Sequence, residues 1–390
     1  MNILYLSEPD PRMTHFGGAQ RSNYIWRALQ EVGDVYTMTF DQRFETQEVA
    51  SRLWYVKKLQ KVNAIRDLLY KVQTFIWRKL RVLYCFPLAT KIEKTADEIF
   101  PNIKFDVVVC RYLDVLGEMH LWGHPRLIVD IDDDPLQMYD TVKSQEVRSW
   151  LRPLGRWILQ KQVNYLQSKI SAAWISNSNI VSLEESKTLI VHLKNIARCP
   201  SAHYSTDAVR KHYLLAVGAL DYRPNFMGID TFLSNIWPSV HTVFPDLRLA
   251  IVGKNAPTEY VERWKLCPNV DLKGFVEDIE KVYEQCLCSV VPVNEGGGTC
   301  IKTLEALAFS RVCLATPFGA RGVEPSTANR QTGLFVYTDA TQFVGLLQHQ
   351  VLNAVHREKN EKAANQYVMQ NNSYEAFAKT VAETIKSVLE

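Results

Sequence analysis

Three consecutive glycines, Gly296, Gly297 and Gly298, stand between an apolar run ending at Val293 and a helical stretch starting near Thr299. Glycines in a turn leave backbone N–H groups uncovered and let a bulky anion come close. A helix start directly behind such a turn attracts phosphate through its orphan donors and its dipole. Lys302 falls in the first helical turn, where it adds a full positive charge, and Glu305 follows at i+3 on the same side. The rest of the stretch is apolar: Ile301, Leu304, Ala306, Leu307, Ala308 and Phe309. A carboxylate among such neighbours is costly without donors to accept from, and a ribose diol beside a phosphate supplies two. This chemistry fits a nucleoside diphosphate. The plainer reading is a glycine loop capping an ordinary α/β helix, with Glu305 at its solvent edge. Residues 311–316 read as the next buried strand, followed by a flexible loop, 317–323, that carries the cation Arg321. In a parallel sheet both loops emerge at the strands' C-terminal edge, where ligands bind.

A second glycine loop lies near the start of the chain. Residues 3–6 have strand length, residues 7–16 form a loop, and Gly17-Gly18 opens a helix over about 19–32. Gly17 and Gly18 can bring backbone donors to a phosphate or a sugar, with Arg21 projecting from the first turn. A tight βα turn with no ligand explains the same residues. Further on, the strand 127–131 runs into Asp130, Asp132, Asp133 and Asp134, four acids within five positions. Three roles suit them: metal binding, acceptance of hydrogen bonds from sugar hydroxyls, or a helix N-cap cluster.

These groups need elements to position them. Short apolar runs at 35–40, 106–110, 172–176 and 188–193 extend a first set of strands. Runs at 213–217, 247–252, 270–272, 286–293, 312–316 and 334–337 make a second set, with helical stretches between. Strand and helix alternate in each half, which predicts two doubly wound parallel sheets in an α/β protein. The pattern lapses between 195 and 211, which reads as a linker. Residues 374–389 form an amphipathic helix with Phe377, Val381, Ile385 and Val388 on its apolar side.

At 390 residues the chain is long enough that two domains are expected. Its 47% hydrophobic and 22% charged content is ordinary for a soluble protein, and a net charge of +3 is too small to imply nucleic acid. The eight cysteines (85, 110, 199, 267, 286, 288, 300 and 313) show no zinc or redox spacing, so reduced thiols in the cytoplasm are expected. The N-terminus turns to Glu8-Pro-Asp-Pro after one short strand and does not read as a signal peptide. No apolar run reaches the roughly 18 residues needed to span a bilayer.

Charge is unevenly distributed. Residues 51–84 hold nine basic residues against one acid, Asp67, interleaved with Trp54, Tyr55, Tyr70, Phe75, Trp77 and Tyr84. Such a basic aromatic helical segment suits an interfacial helix lying on anionic headgroups. A helix pair packing its aromatics inward is the plain alternative, and nucleic acid ranks below both. Residues 145–170, with Arg148, Trp150, Arg152, Arg156, Trp157 and Lys161, could extend the same face.

Taken in order, Val217-Gly-Ala-Leu-Asp-Tyr-Arg-Pro-Asn225, Leu249-Ala-Ile-Val-Gly253, Lys273-Gly-Phe-Val-Glu-Asp278, Gly296-Gly-Gly-Thr-Cys-Ile-Lys-Thr-Leu-Glu-Ala-Leu-Ala308 and Thr316-Pro-Phe-Gly-Ala-Arg-Gly322 resemble the retaining glycosyltransferases of family 4. More narrowly they resemble a branch with a Gly-Gly-Gly-Thr-x-x-Lys signature. The resemblance implies a GT-B fold, two Rossmann-like domains facing across a cleft. It divides the chain into an acceptor domain (1–198), a linker (199–212), a nucleotide-sugar domain (213–370) and a terminal helix (371–390) packing back on the first domain. It also implies a UDP- or GDP-sugar donor, no metal or other cofactor, and a glycan or lipid-linked acceptor. Glu305 would take the ribose, while Lys302 and the loop amides of Gly296, Gly297, Gly298 and Thr299 take the diphosphate. Gly17, Gly18 and Arg21 would approach from the first domain, and Gly218 and Gly253 fall in the matching motifs.

Three places depart from the family pattern. The first acid of its Glu-x7-Glu motif falls on Gly297, with Glu295 two residues earlier. Its usual Arg after Val-Gly falls on Ala219, which shifts diphosphate binding toward Lys302, Arg223 or Arg321. Asp132 and Asp133 occupy the region where many members carry a sugar-contacting His. The expected activity is retaining sugar transfer in surface polysaccharide or glycoconjugate synthesis, at the cytoplasmic face of a membrane and without nucleic acid. Rivals are an epimerase or phosphorylase of the same fold, and a non-catalytic scaffold that binds nucleotide sugar or a partner enzyme.

Overall fold

The computed structural model describes all residues except 15–16, 42, 59–78, 81–91, 114, 116–123, 133, 142–143, 145–146, 177–182, 184–187, 197, 199–212 and 297–298. The expected linker, Asp133, Gly297, Gly298 and most of the basic segment 51–84 therefore lie outside the described residues. The chain divides into two units, Met1–Lys194 with Tyr374–Glu390, and Asn195–Ser373.

The first unit is built on strands β1 (Asn2–Ser7), β2 (Asp34–Asp41), β3 (Gln47–Ala50), β4 (Leu53–Lys57), β5 (Val107–Arg111), β6 (Leu127–Ile131), β7 (Ala172–Ile175) and β8 (Leu189–His192). They lie in the order β3-β4-β2-β1-β5-β6-β7-β8, all parallel except the β3–β4 pair. Helices covering both faces of a parallel sheet demand strands apolar on both sides, which is why β1, β5 and β6 read as continuous hydrophobic runs. The helix Gly17–Val32 follows β1 and buries Ala19, Ile25, Ala28 and Leu29. The terminal helix Tyr374–Leu389 belongs to this unit. Its Phe377, Val381 and Ile385, four residues apart, are buried on one side. Thr384 accepts a 3.1 Å hydrogen bond from the Trp174 indole, and the Tyr374 hydroxyl donates to Glu31 at 2.6 Å.

The start of the basic segment differs from the sequence reading. Residues 53–57 are not helical. They form β4, parallel to β2, because Leu-Trp-Tyr-Val suits a pleated half-buried surface better than a helix. Tyr55 stacks on Phe44 at 3.9 Å and donates to Asp10 at 2.6 Å, so its polar tip is answered within the unit.

The second unit holds β9 (Tyr213–Val217), β10 (Arg248–Val252), β11 (Val270–Gly274), β12 (Cys288–Val291), β13 (Val312–Ala315) and β14 (Leu334–Val336), all parallel, in the order β11-β10-β9-β12-β13-β14. Successive side chains point to opposite faces. Leu215, Ala250, Val291 and Ala315 pack with Leu304 and Leu307 of the helix Ile301–Ala308. Leu214, Ile251, Val290 and Leu314 pack with Phe232 of the helix Arg223–Asn235 and with Phe343. The chain runs outward from β9 through β10 to β11, then returns to β12 on the other side of β9. That reversal opens a crevice at the C-terminal ends of β9 and β12, the place where open α/β sheets take ligands.

Candidate functional site

In the second unit the loops after β9, β12 and β13 meet at this switch point. The loop after β12 spans 292–300, and the helix behind it starts at Ile301 with Cys300 as its cap, two residues later than Thr299. Gly296 has φ of +137°, a conformation only glycine adopts without strain, and a Cβ there would stand 3.3 Å from the Phe318 ring. The Cys300 N–H donates to the Arg321 carbonyl at 3.4 Å, which ties the glycine loop to the loop after β13. That second loop is fastened in turn: Thr303 donates to the Gly319 carbonyl at 2.6 Å, and the Thr316 hydroxyl accepts from the Gly319 N–H at 2.9 Å. The Arg321 guanidinium lies over the Phe318 ring, 4.5 Å from its centre.

Lys302 reaches across to the loop after β9. A Cβ on Gly218 would stand 2.9 Å from Lys302 Cε and 3.0 Å from Asn225 Nδ2. Gly218 thus leaves room for the lysine. Its own N–H is bonded to the Val252 carbonyl at 3.0 Å, so it offers no free donor. Gly253, expected among the ligand-binding positions, likewise gives its N–H to the Gly274 carbonyl at 2.9 Å, and a Cβ there would meet the Gly218 carbonyl oxygen at 2.0 Å. Gly253 thus lets the two backbones approach closely.

Glu305 sits one turn beyond Lys302 and is partly buried. The Tyr283 hydroxyl donates to it across 3.4 Å, and Tyr283 is itself stacked on Phe309 with ring centres 4.6 Å apart. Burial pushes the Glu305 carboxyl pKa up, against the pull of Arg198, the Tyr283 hydrogen bond and Lys302. A carboxylate so placed gains from further donors. Arg223 and Glu295, which the sequence analysis held as separate ligand groups, are joined in an ion pair. Glu295 therefore spends its charge on Arg223, and Arg223 is correspondingly weaker as an anion ligand. Asn225 is 5% exposed, donates to the Ala219 carbonyl at 2.7 Å, and has no partner for Oδ1 among the described residues. A buried amide next to a glycine was the sequence signal for it.

The first unit places its candidates differently. Arg21 is held inside the first unit. It is 2% exposed, its Nε and Nη2 donate to both oxygens of Asp130 at 2.6–3.1 Å, and its Nη1 donates to the Leu193 carbonyl at 3.0 Å. Arg111, which the sequence analysis missed, is buried on the other side of the same carboxylate. It pairs with Asp130, donates to Asp132 at 3.0 Å, and reaches the Gly18 carbonyl at 3.4 Å. Burial disfavours the Arg111 charge, but Tyr112, Asp130 and Asp132 overcome it and hold its pKa well above the usual value. Two cations and two carboxylates balance here, so Asp132 is committed to Arg111 where a sugar-binding or catalytic role was expected. The N-cap reading applies to Asp134, whose carboxylate accepts from the Leu136 and Gln137 N–H groups at 2.8 and 3.2 Å. Among the described residues no three or more His, Cys, Asp or Glu side chains gather as a metal site. An Arg ending the buried strand β5 was the signal for the network, since such a charge needs a carboxylate partner.

Residues 211–353 match the family model described as glycosyl transferases group 1. The matched stretch lies within the second unit, which is thus similar to a group 1 glycosyltransferase domain. No curated protein matches the chain. Among solved structures, sucrose-phosphate synthase from Thermosynechococcus elongatus is similar over 99% of this chain and 98% of its own, with 15% identity and a TM-score of 0.67. Trehalose-6-phosphate synthase aligns over 99% of both chains, with 11% identity and a TM-score of 0.62. WaaG, a glycosyltransferase involved in lipopolysaccharide biosynthesis, aligns over 98% of this chain and 99% of its own, with 13% identity and a TM-score of 0.60. Against TarM the match takes in 72% of this chain but 54% of TarM, so the chain spans about half that protein's length. At these identities the likeness establishes the fold, which is GT-B across the whole chain.

Proposed function

We propose that this protein is a retaining glycosyltransferase that moves a sugar from a UDP- or GDP-sugar to a glycan or lipid-linked acceptor. The observation that carries the reading is the meeting of Lys302, Gly218 and the Gly296 loop at the β9/β12 switch point, with Glu305 one turn behind. Lys302, the loop amides and the N-terminal end of the helix Ile301–Ala308 hold the diphosphate. Glu305 accepts from the ribose hydroxyls.

As the bond from the sugar to the diphosphate breaks, negative charge grows on the leaving oxygen and the sugar becomes oxocarbenium-like. The same fixed cation and dipole stabilise that charge, so they act more strongly on the transition state than on the bound donor. The acceptor hydroxyl attacks from the face the diphosphate leaves, and the departing diphosphate oxygen takes its proton. No metal ion and no protein general base enters this scheme. Gly17 and Gly18 open a helix of the first unit, and that unit would hold the acceptor. Trehalose-6-phosphate synthase transfers with retention and WaaG takes part in lipopolysaccharide biosynthesis, which supports this reading. The six described cysteines are free, which suits a cytoplasmic reaction.

Thermal-shift titration with UDP, GDP and ADP tests the nucleotide site. One base should stabilise the protein by about 2.7 kcal/mol at a hundred times its Kd. No shift with any of them would favour the scaffold reading. A donor-hydrolysis screen across nucleotide sugars then identifies the sugar.

A further inference from the structure

The helix Arg152–Gln167 of the first unit has two contrasting sides. Gly155, Leu159, Gln162, Val163 and Leu166 are buried, and Gly155 packs so tightly that a Cβ would stand 2.0 Å from the Tyr139 hydroxyl. Leu154, Trp157, Lys161 and Tyr165, spaced at three and four residues, share the opposite side. Trp150 stands in the 3-10 turn just before it. Trp150 is 71% exposed, Trp157 59%, Leu154 47% and Tyr165 42%. Large apolar side chains aligned on a rigid helix and left open to water mark a contact surface.

The surrounding charge indicates what it contacts. No acidic residue occurs between positions 147 and 171, while Arg148, Arg152, Arg156, Lys161 and Lys169 do. Arg156 is answered by Asp140 at 3.1 Å. Lys161 Nζ lies 6.0 Å from the Trp157 ring centre and Lys169 Nζ 5.4 Å from that of Tyr165, so the ammonium groups flank the aromatic stripe. Tryptophan and tyrosine favour the headgroup level of a bilayer, and flanking cations favour anionic lipid. No described helix is long and apolar enough to cross a membrane. We infer that this helix lies flat on an anionic phospholipid surface, with Trp150, Leu154 and Trp157 inserted among the headgroups.

Flotation of the full chain with phosphatidylcholine vesicles, with and without about 30% phosphatidylglycerol, tests this. Binding should require the anionic lipid and fade between about 0.1 M and about 1 M salt, as screening shortens from about 10 Å to about 3 Å. Trp150→Ser with Trp157→Ser, and separately Arg148→Glu with Lys161→Glu, should each lower the partition coefficient about tenfold or more. Leu266→Ser, at an 85% exposed position in the other unit, should leave it unchanged. Nucleotide-induced thermal shifts, read on the same variants, report the donor site separately. Equal partition to neutral vesicles, absence of binding, or full binding by either double variant overturns the inference.

Discussion

Lys302 crosses Gly218, with its Cε 2.9 Å from where a Cβ on that glycine would stand. The cation on the helix behind one loop is therefore seated by the absence of a side chain in another. Gly218→Ala should displace the lysine at a modest cost in stability, because the new Cβ meets the far end of that flexible chain and also, at 3.0 Å, the buried Asn225 amide. Nucleotide affinity should fall about tenfold, the worth of roughly 1.4 kcal/mol. Calorimetric titration beside a thermal melt checks both halves; a large drop in Tm with unchanged affinity would contradict it.

The ion pair between Arg223 and Glu295 ranks the cations. Lys302→Ala should cost about 1.5–3 kcal/mol of nucleotide binding, the range for a hydrogen bond to a charged group. Arg223→Ala should cost less than about 1 kcal/mol, because Glu295 already balances its charge. Comparable losses in the two variants would show that the pair opens when the nucleotide binds.

Glu305 predicts opposite pH responses for stability and for binding. Burial raises its pKa in the folded state above the ordinary value of 4.5. As pH rises from that value toward the raised one, the unfolded chain has lost a proton that the folded protein keeps, so stability falls. Ribose binding needs the carboxylate and should strengthen over the same interval. Glu305→Gln should flatten both trends, giving an unliganded protein at neutral pH at least as stable as the wild type but weak for nucleotide. Melting curves and titrations across this pH range measure the two, and a variant with normal affinity would remove the ribose role.

In the first unit, Arg111→Met should destabilise by about 3–5 kcal/mol, since it removes one partner from a buried charge pair. Arg21 remains on Asp130, so collapse of the fold is not required. Urea denaturation gives the value, and a change below about 1 kcal/mol would mean the group is hydrated.

The sequence by itself determined the two parallel α/β sheets, because strands buried on both faces must read as uninterrupted apolar runs between amphipathic helices. It also marked Lys302, Glu305 and the Gly296 loop, whose spacing along one loop and one helix fixes their neighbourhood. It did not show the partners of the charges near β1. Arg21 and Asp132 look like ligand groups in isolation, and only the tertiary structure sets Arg111 beside Asp130 across 19 residues of chain. It likewise could not see that Leu53–Lys57 joins the edge of a sheet, or that Arg223 reaches Glu295 across 72 residues. The reason is physical: local periodicity is set by the nearest few residues, whereas the partner of a charge is chosen by whichever distant element the fold brings within hydrogen-bond reach.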